Sequence, residues 1–210
     1  MIKNYLITAI RELRKRKFYT AINILGLSVS LTASILIIFW VQDEQSFDKF
    51  HPDYEQIYKI NSHLDLEHNG SVWGSSPGPL VNFAQHSPEV AAATRVPADN
   101  NCTLVNDKLK RPVIDMSIYY VDDNFFKMFD FPLEQGSLTG FQNNHNQALI
   151  TESTAERLFS SKDVIGNTFR YGDDLFTVSG ILKDVPQNSS MQFDVVIPIG
   201  YYAQRFTKWG

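Results

Sequence analysis

Enzymatic chemistry needs particular residue types at particular spacings, and this chain offers few. A phosphate-cradling P-loop needs Gly-Lys followed by Ser or Thr, yet none of the 11 glycines precedes a lysine. Gly74-Ser75-Ser76-Pro77-Gly78 has the Gly-x-Ser-x-Gly spacing of some hydrolases, but Ser75 and Ser76 sit in a Gly/Pro turn and read as structural. Of the five histidines, His63 and His68, with Asp65 and Glu67 beside them, form the one cluster. Their five-residue spacing matches no familiar zinc pattern and reads as a solvated loop. Cys102 is the one cysteine, so no intramolecular disulfide can form, and its polar neighbours Asn100 and Asn101 do not suggest a nucleophile. Asp122, Asp123 and Asp130 read as helix caps and surface charges. Asn-x-Ser/Thr triplets begin at Asn69, Asn101 and Asn188, and matter only where a glycosylating pathway handles the protein. The residues point to a protein that is not an enzyme and holds no cofactor or metal of its own.

The elements that position these residues say more. Residues 18–42 are 25 consecutive residues without a charge. At ~1.5 Å per residue they make a helix of roughly 37 Å, enough to cross a hydrocarbon core of about 30 Å. Arg11, Arg14, Lys15, Arg16 and Lys17 lie directly before it. Cations stay on the cytoplasmic side of short membrane flanks, so the N-terminus is expected inside and everything after Val41 outside. A cleaved signal peptide would have a shorter apolar core with a small-x-small site at its end. Here such triplets, as at 28–30 and 32–34, lie inside the apolar stretch.

Residues 2–17 read as an amphipathic helix, with Ile2, Leu6, Ala9, Ile10 and Leu13 recurring at three- and four-residue spacing. It is expected to lie on the inner membrane surface as an elbow. Residues 1–17 carry six Lys/Arg and one Glu, whereas the remainder carries 13 bases and 22 acids. The basic foot suits anionic headgroups; the acidic body excludes a nucleic-acid binder. Within the membrane helix Gly26, Ser30 and Ser34 recur every four residues. Small residues at that spacing let another helix approach closely, and Asn23 also wants a polar partner.

Beyond the membrane the pattern mixes α and β. Strands are expected at 56–62, 90–96, 109–121 (a strand pair or one long strand), 146–150 and 193–199, and a hairpin at 168–171 and 175–182 around Gly172-Asp173-Asp174. Short helices are expected at 79–85 and, with an Asp123 cap, at 123–129. Another follows Thr151, opened by a capping box of Ser153 and Glu156. Fifteen Phe and nine Tyr can supply a core.

Three stretches, in order, resemble the FtsX-like and MacB-like ABC transporter permeases that carry no fused ATPase. The first runs from Ala9-Ile10-Arg11-Glu12-Leu13-Arg14-Lys15-Arg16-Lys17 into Ile22-Asn23-Ile24-Leu25-Gly26-Leu27. The second is Val41-Gln42-Asp43-Glu44-Gln45-Ser46-Phe47-Asp48-Lys49-Phe50-His51 with Ile57-Tyr58. The third comprises Val121-Asp122-Asp123-Asn124-Phe125-Phe126, Leu149-Ile150-Thr151-Glu152-Ser153, Leu158-Phe159, Ile165-Gly166 and the run from Phe176 to Pro186.

The resemblance implies an α+β fold: an N-terminal amphipathic helix (1–17) and one transmembrane helix (18–42), then a mixed α/β periplasmic core domain (43–210) of two subdomains. It implies an inner-membrane location, a P-loop ATPase partner that binds the ATP, and a second permease copy in a homodimer or heterodimer. It also implies further membrane helices, so that this chain would be an N-terminal fragment. Under it, Arg11, Arg14, Lys15, Arg16 and Lys17 set topology and touch the inner leaflet. Gly26, Ser30 and Ser34 form a helix-packing face. Gln42, Asp43, Glu44, Phe47 and Phe50 belong to the joint that passes motion outward. Arg95, Phe125, Phe126 and Phe129 read as core and surface features rather than a cargo site. A single-pass sensor or binding domain is the alternative, although 17 residues before the helix leave no room for an output domain.

Overall fold

A computed structural model describes residues 2–64, 71–139 and 141–206. The chain divides into two compact units, Met1–Phe47 and Asp48–Gly210.

The first unit is helical. Helix α1 spans Ile2–Lys15 and helix α2 spans Lys17–Glu44. They are separated at Arg16, whose φ of −110° and ψ of 57° leave the helical region. Thr20 Oγ1 crosses the break and donates to the Leu13 carbonyl at 3.0 Å. Among the described residues α2 is the one helix long and apolar enough to cross a membrane, and none of its residues is buried by protein. It runs to Glu44, two residues past the expected end.

The second unit begins with a 3₁₀ turn at Tyr54–Gln56 and a small hairpin, β1 (Ser62–Leu64) with β2 (Ser71–Trp73), then helix α3 (Leu80–Ala84). There follow β3 (Ala98–Asn106), β4 (Pro112–Val121), α4 (Phe125–Met128), β5 (Leu133–Gly136), β6 (Gln147–Thr151) and α5 (Glu152–Phe159). The described chain closes with β7 (Thr168–Tyr171), β8 (Asp174–Leu182), β9 (Val195–Pro198) and α6 (Ile199–Phe206).

Among the described residues the larger sheet has the order β5-β8-β6-β9-β4-β3-β7, and β7 also pairs with β8. Six strands thus close into a ring. Strand β8 serves β7 with its first half, Asp174 to Thr177, and β5 with its end, Gly180 to Leu182. The pairs β4–β9 and β6–β8 are parallel.

Alternation along these strands makes two cores. Ile150, Val195, Ile197 and Tyr120 join one cluster, which draws on all six ring strands and is plugged by Ala155 and Leu158 of α5 and Tyr201 of α6. Leu149, Val196 and Val121 turn the other way and meet Phe125, Phe131, Phe141 and Phe193. Strands β6 and β9 are therefore buried on both faces, and both read as nearly unbroken apolar runs. The extra residue Ser179 on β8, opposite the Ala148–Leu149 step, lets Phe176, Val178 and Ile181 all join the first cluster.

Several local expectations differ from the structure. Residues 57–61 form no strand: no strand among the described residues pairs with them, and Tyr58 is 82% exposed. Residues 90–96 make no ladder, because their polar groups turn to side chains. Arg95 donates its backbone N–H to Asp122 Oδ2 at 2.8 Å, and Gln85 and Asn124 donate to the Ala93 carbonyl. Strand β3 was hidden by Asp99, Asn100 and Asn101, and Asn101 takes a left-handed φ of 57° within the register shift between Asp99 and Cys102. Strand β5, a short edge strand, and helix α6 also carry no signal strong enough to read in advance. The last strand ends at Pro198 and not at Ile199. Helix α4 is preceded by Asn124, without a side-chain cap, and not by Asp123. The cap of α5 is Thr151, whose Oγ1 accepts from the Thr154 amide at 3.3 Å; Ser153 instead donates its amide to Asp184 Oδ1 at 2.9 Å.

Candidate functional site

The expected inner-leaflet residues all lie at the α1–α2 break. Arg11, Arg14 and Lys15 line a shallow groove with Ile7 and Ile10, one face of α1 at helical spacing. Arg16 occupies the break and Lys17 opens α2. All five cations are exposed, and Lys15 reaches Glu12 Oε1 at 3.3 Å. An exposed pair of this kind is worth little in water, so the cluster keeps its cationic character.

The small-residue face is also present. A Cβ added at Gly26 would meet nothing within 4 Å, which leaves that side of α2 open to close approach. Ser30 Oγ donates to the Gly26 carbonyl and Ser34 Oγ to the Ser30 carbonyl, both at 2.9 Å. The hydroxyls are thus satisfied within the helix.

The expected joint falls on both sides of the boundary between the units. Gln42, Asp43 and Glu44 form the last turn of α2, Gln45 caps it through its amide to the Val41 and Asp43 carbonyls, and Phe47 closes the first unit. Phe50 lies in the second, packed on the aromatic core with its ring 5.8 Å from that of Phe131.

Between them stands a residue that sequence reading did not single out. Asp48 has a φ of 56°, which turns the chain sharply. Its amide donates to the Asn188 carbonyl at 2.9 Å. Its carboxylate accepts from the Ser190 amide at 2.8 Å and from Ser189 Oγ at 3.2 Å. A short acidic side chain is among the few that tolerate this φ and accept locally. The triplet that looked like a glycosylation signal, Asn188-Ser189-Ser190, is therefore the partner of this clamp. Three residues on, His51 is buried and its Nδ1 accepts from the Asp130 amide at 3.0 Å. Asp130, read earlier as surface charge, supplies the backbone end of that bond.

Elsewhere polar side chains brace the fold. Arg95 holds Asp122 with two guanidinium bonds, at 2.9 and 2.7 Å, besides its amide. Tyr120 and Tyr171 both donate to Asp99 Oδ2, at 2.8 and 3.0 Å. Burial pushes the Tyr120 phenol far above its usual range and raises the Cys102 thiol as well. Phe125 is fully buried. His63 lies on β1, while His68, Asp65, Glu67 and Asn69 fall outside the described residues. Among the described residues, no group of three or more His, Cys, Asp and Glu gathers as a metal cage would.

A long apolar helix followed by a sheet-rich domain is the pattern of a membrane-anchored protein with a mixed α/β domain after its helix. The chain belongs to the MacB-like periplasmic core domain family, whose model matches residues 20–210. This is a periplasmic domain of ABC-transporter permease-type proteins, a transporter-type domain and not a catalytic fold. A domain described as belonging to a permease protein from Porphyromonas gingivalis superposes with a TM-score of 0.53 at 25% identity, covering 58% of this chain and 57% of that one. The periplasmic region of MacB from Actinobacillus actinomycetemcomitans gives 0.51 at 16%, covering 60% and 56%. The extracellular domain of the ABC-type transporter YknZ from Gram-positive bacteria gives 0.50 at 15%, covering 60% and 64%. The last two share the fold. The match spans about three-fifths of the length of each of these domains. No curated protein matches the chain.

Proposed function

We propose that this chain is the membrane-entering part of an ABC-type permease, working with a second permease copy and a separate P-loop ATPase on the cytoplasmic face. ATP binds and is hydrolysed on that partner. The N-terminus is cytoplasmic and the second unit periplasmic. Arg11, Arg14, Lys15, Arg16 and Lys17 rest on the anionic inner leaflet. Gly26, Ser30 and Ser34 receive a neighbouring membrane helix. Motion of the membrane helices passes through Gln42, Asp43, Glu44, Phe47 and Phe50 into the outer domain, and further membrane helices lie beyond residue 210.

The observation that carries the reading is the clamp at Asp48. Directly after the membrane helix and its cap, the chain is tied to the 188–190 loop by three hydrogen bonds. A link that passes motion needs a fixed point where the second unit begins, and this clamp is a candidate for it.

The test is affinity purification of the natural product from its own membranes, with mass spectrometry of what accompanies it. A stoichiometric P-loop ATPase is expected, together with loss of assembly when Leu replaces Gly26 and Ser30. A product without an ATPase would refute the proposal, and unchanged assembly in the Leu variant would refute the packing face.

A further inference from the structure

The outer domain buries a histidine just after the chain leaves the membrane helix, and leaves half of its ring unpartnered. His51 is 2% exposed. Its Nδ1 accepts the Asp130 amide, so the neutral ring carries its proton on Nε2. Nε2 is buried and has no hydrogen-bond partner among the described residues. The rings of Phe50, Phe129 and Phe131 surround it, with centroids 4.0, 5.2 and 5.2 Å away.

We propose that His51 is a pH-sensitive latch: neutral, it holds residues 48–51 against the 129–131 segment, and protonated, it lets them go. A second proton on Nδ1 removes the acceptor for the Asp130 amide and sets two N–H donors against each other. It also places a charge inside an aromatic box, where desolvation is costly.

The charges facing the ring are Asp48, on its own segment, and Asp130, on the segment packed against it; both favour the imidazolium. The 188–190 loop brings no titratable side chain. On α4, Lys127 is engaged by Asn124 Oδ1 at 3.3 Å. Burial outweighs the two carboxylates and holds His51 below the usual histidine value of 6.5. A value lower in the folded than in the unfolded chain means that the unfolded chain binds more protons. The latch therefore contributes its full stability above about pH 6.5 and loses it as pH falls toward the folded value.

Hydrogen exchange of the full chain in lipid nanodiscs, with rates corrected for intrinsic pH dependence, reads the latch directly. Protection at the Asp130 amide and at residues 48–51 should fall between pH 7.5 and 5. The expected fall is about tenfold for each pH unit separating the ordinary and folded values, while β6 and β9 stay protected. The His51→Gln variant, which cannot charge, should show no such fall. Constant protection in the natural chain overturns the proposal, and so does a parallel fall in His51→Gln, which would assign the effect to Asp48 or Asp130. If that variant does not fold, NMR titration of the His51 ring in the natural chain decides instead. Its signal can be identified by replacing the other four histidines in turn. A midpoint below 6.5 that coincides with lost protection supports the latch; one at or above 6.5 refutes it.

Discussion

Replacing Asp48 by Ala removes the clamp and leaves the backbone turn to a residue that resists it. The lost carboxylate accepted two hydrogen bonds, from the Ser190 amide at 2.8 Å and Ser189 Oγ at 3.2 Å. Bonds to a charged group contribute about 1.5–3 kcal/mol; Asp48 is half-buried and Ser190 exposed, so the low end, about 1.5 kcal/mol, applies. Ala at a φ of 56° adds about 1 kcal/mol of backbone strain. The variant should lose about 2.5 kcal/mol. Asn keeps one acceptor oxygen and tolerates the φ, so its loss should be about 1 kcal/mol. Gly removes both bonds yet relieves the φ, and should fall between them. Urea unfolding of the full-length variants in detergent gives the global values, and hydrogen exchange at residues 48–51 and 188–190 localises them. The order Asn, Gly, Ala is the content of the prediction. An Asn variant as damaged as Ala would refute the acceptor argument. A Gly variant no better than Ala would refute the backbone one.

Further outcomes follow at the α5 cap and at the buried cysteine. Thr151→Ala should destabilise the second unit by about 1–2 kcal/mol in the same unfolding assay, because it removes the α5 cap and the donor to Thr154 Oγ1. Ser153→Ala should cost less than half as much, since it removes only the 3.3 Å contact of the Ser153 hydroxyl with Thr151 Oγ1 and keeps the amide bond to Asp184; equal losses would put the cap back at Ser153. Cys102, buried and with its thiol raised by burial, should resist alkylation in the folded chain and react at the rate of unfolding. The folded thiol holds its proton more tightly than the unfolded one, so its contribution to stability is present at neutral pH and declines as pH rises through the ordinary thiol range. Rapid alkylation at neutral pH without unfolding would contradict that placement.

Local periodicity was enough to read the membrane helix, the amphipathic helix before it and the strands β6, β8 and β9. Each carries its signal in its own residues: an uncharged run too long for anything but a membrane or a deep core, cations on one flank, or an unbroken apolar run bounded by turns. Strand β3 was not legible, because its pairing with β4 and β7 lets Asp99, Asn100 and Asn101 sit in a strand their propensities oppose. The expected strand at 90–96 failed for the converse reason. Its propensity is real, but Asp122, 27 positions after Arg95, takes the amide a ladder would have used.

The candidate joint divides in the same way. Sequence placed it within residues 42–50, where the apolar run stops and a familiar motif begins. It could not show that Asp48 is the fastening point, because its partners Ser189 and Ser190 lie about 140 positions away. Nor could it show that His51 is buried, since that depends on Phe129 and Phe131 folding back over it. A membrane anchor is decided by composition along one helix, and sequence alone determined it. A fastening and a buried titratable ring depend on which distant segments come to lie against each other, and only the tertiary structure decided them.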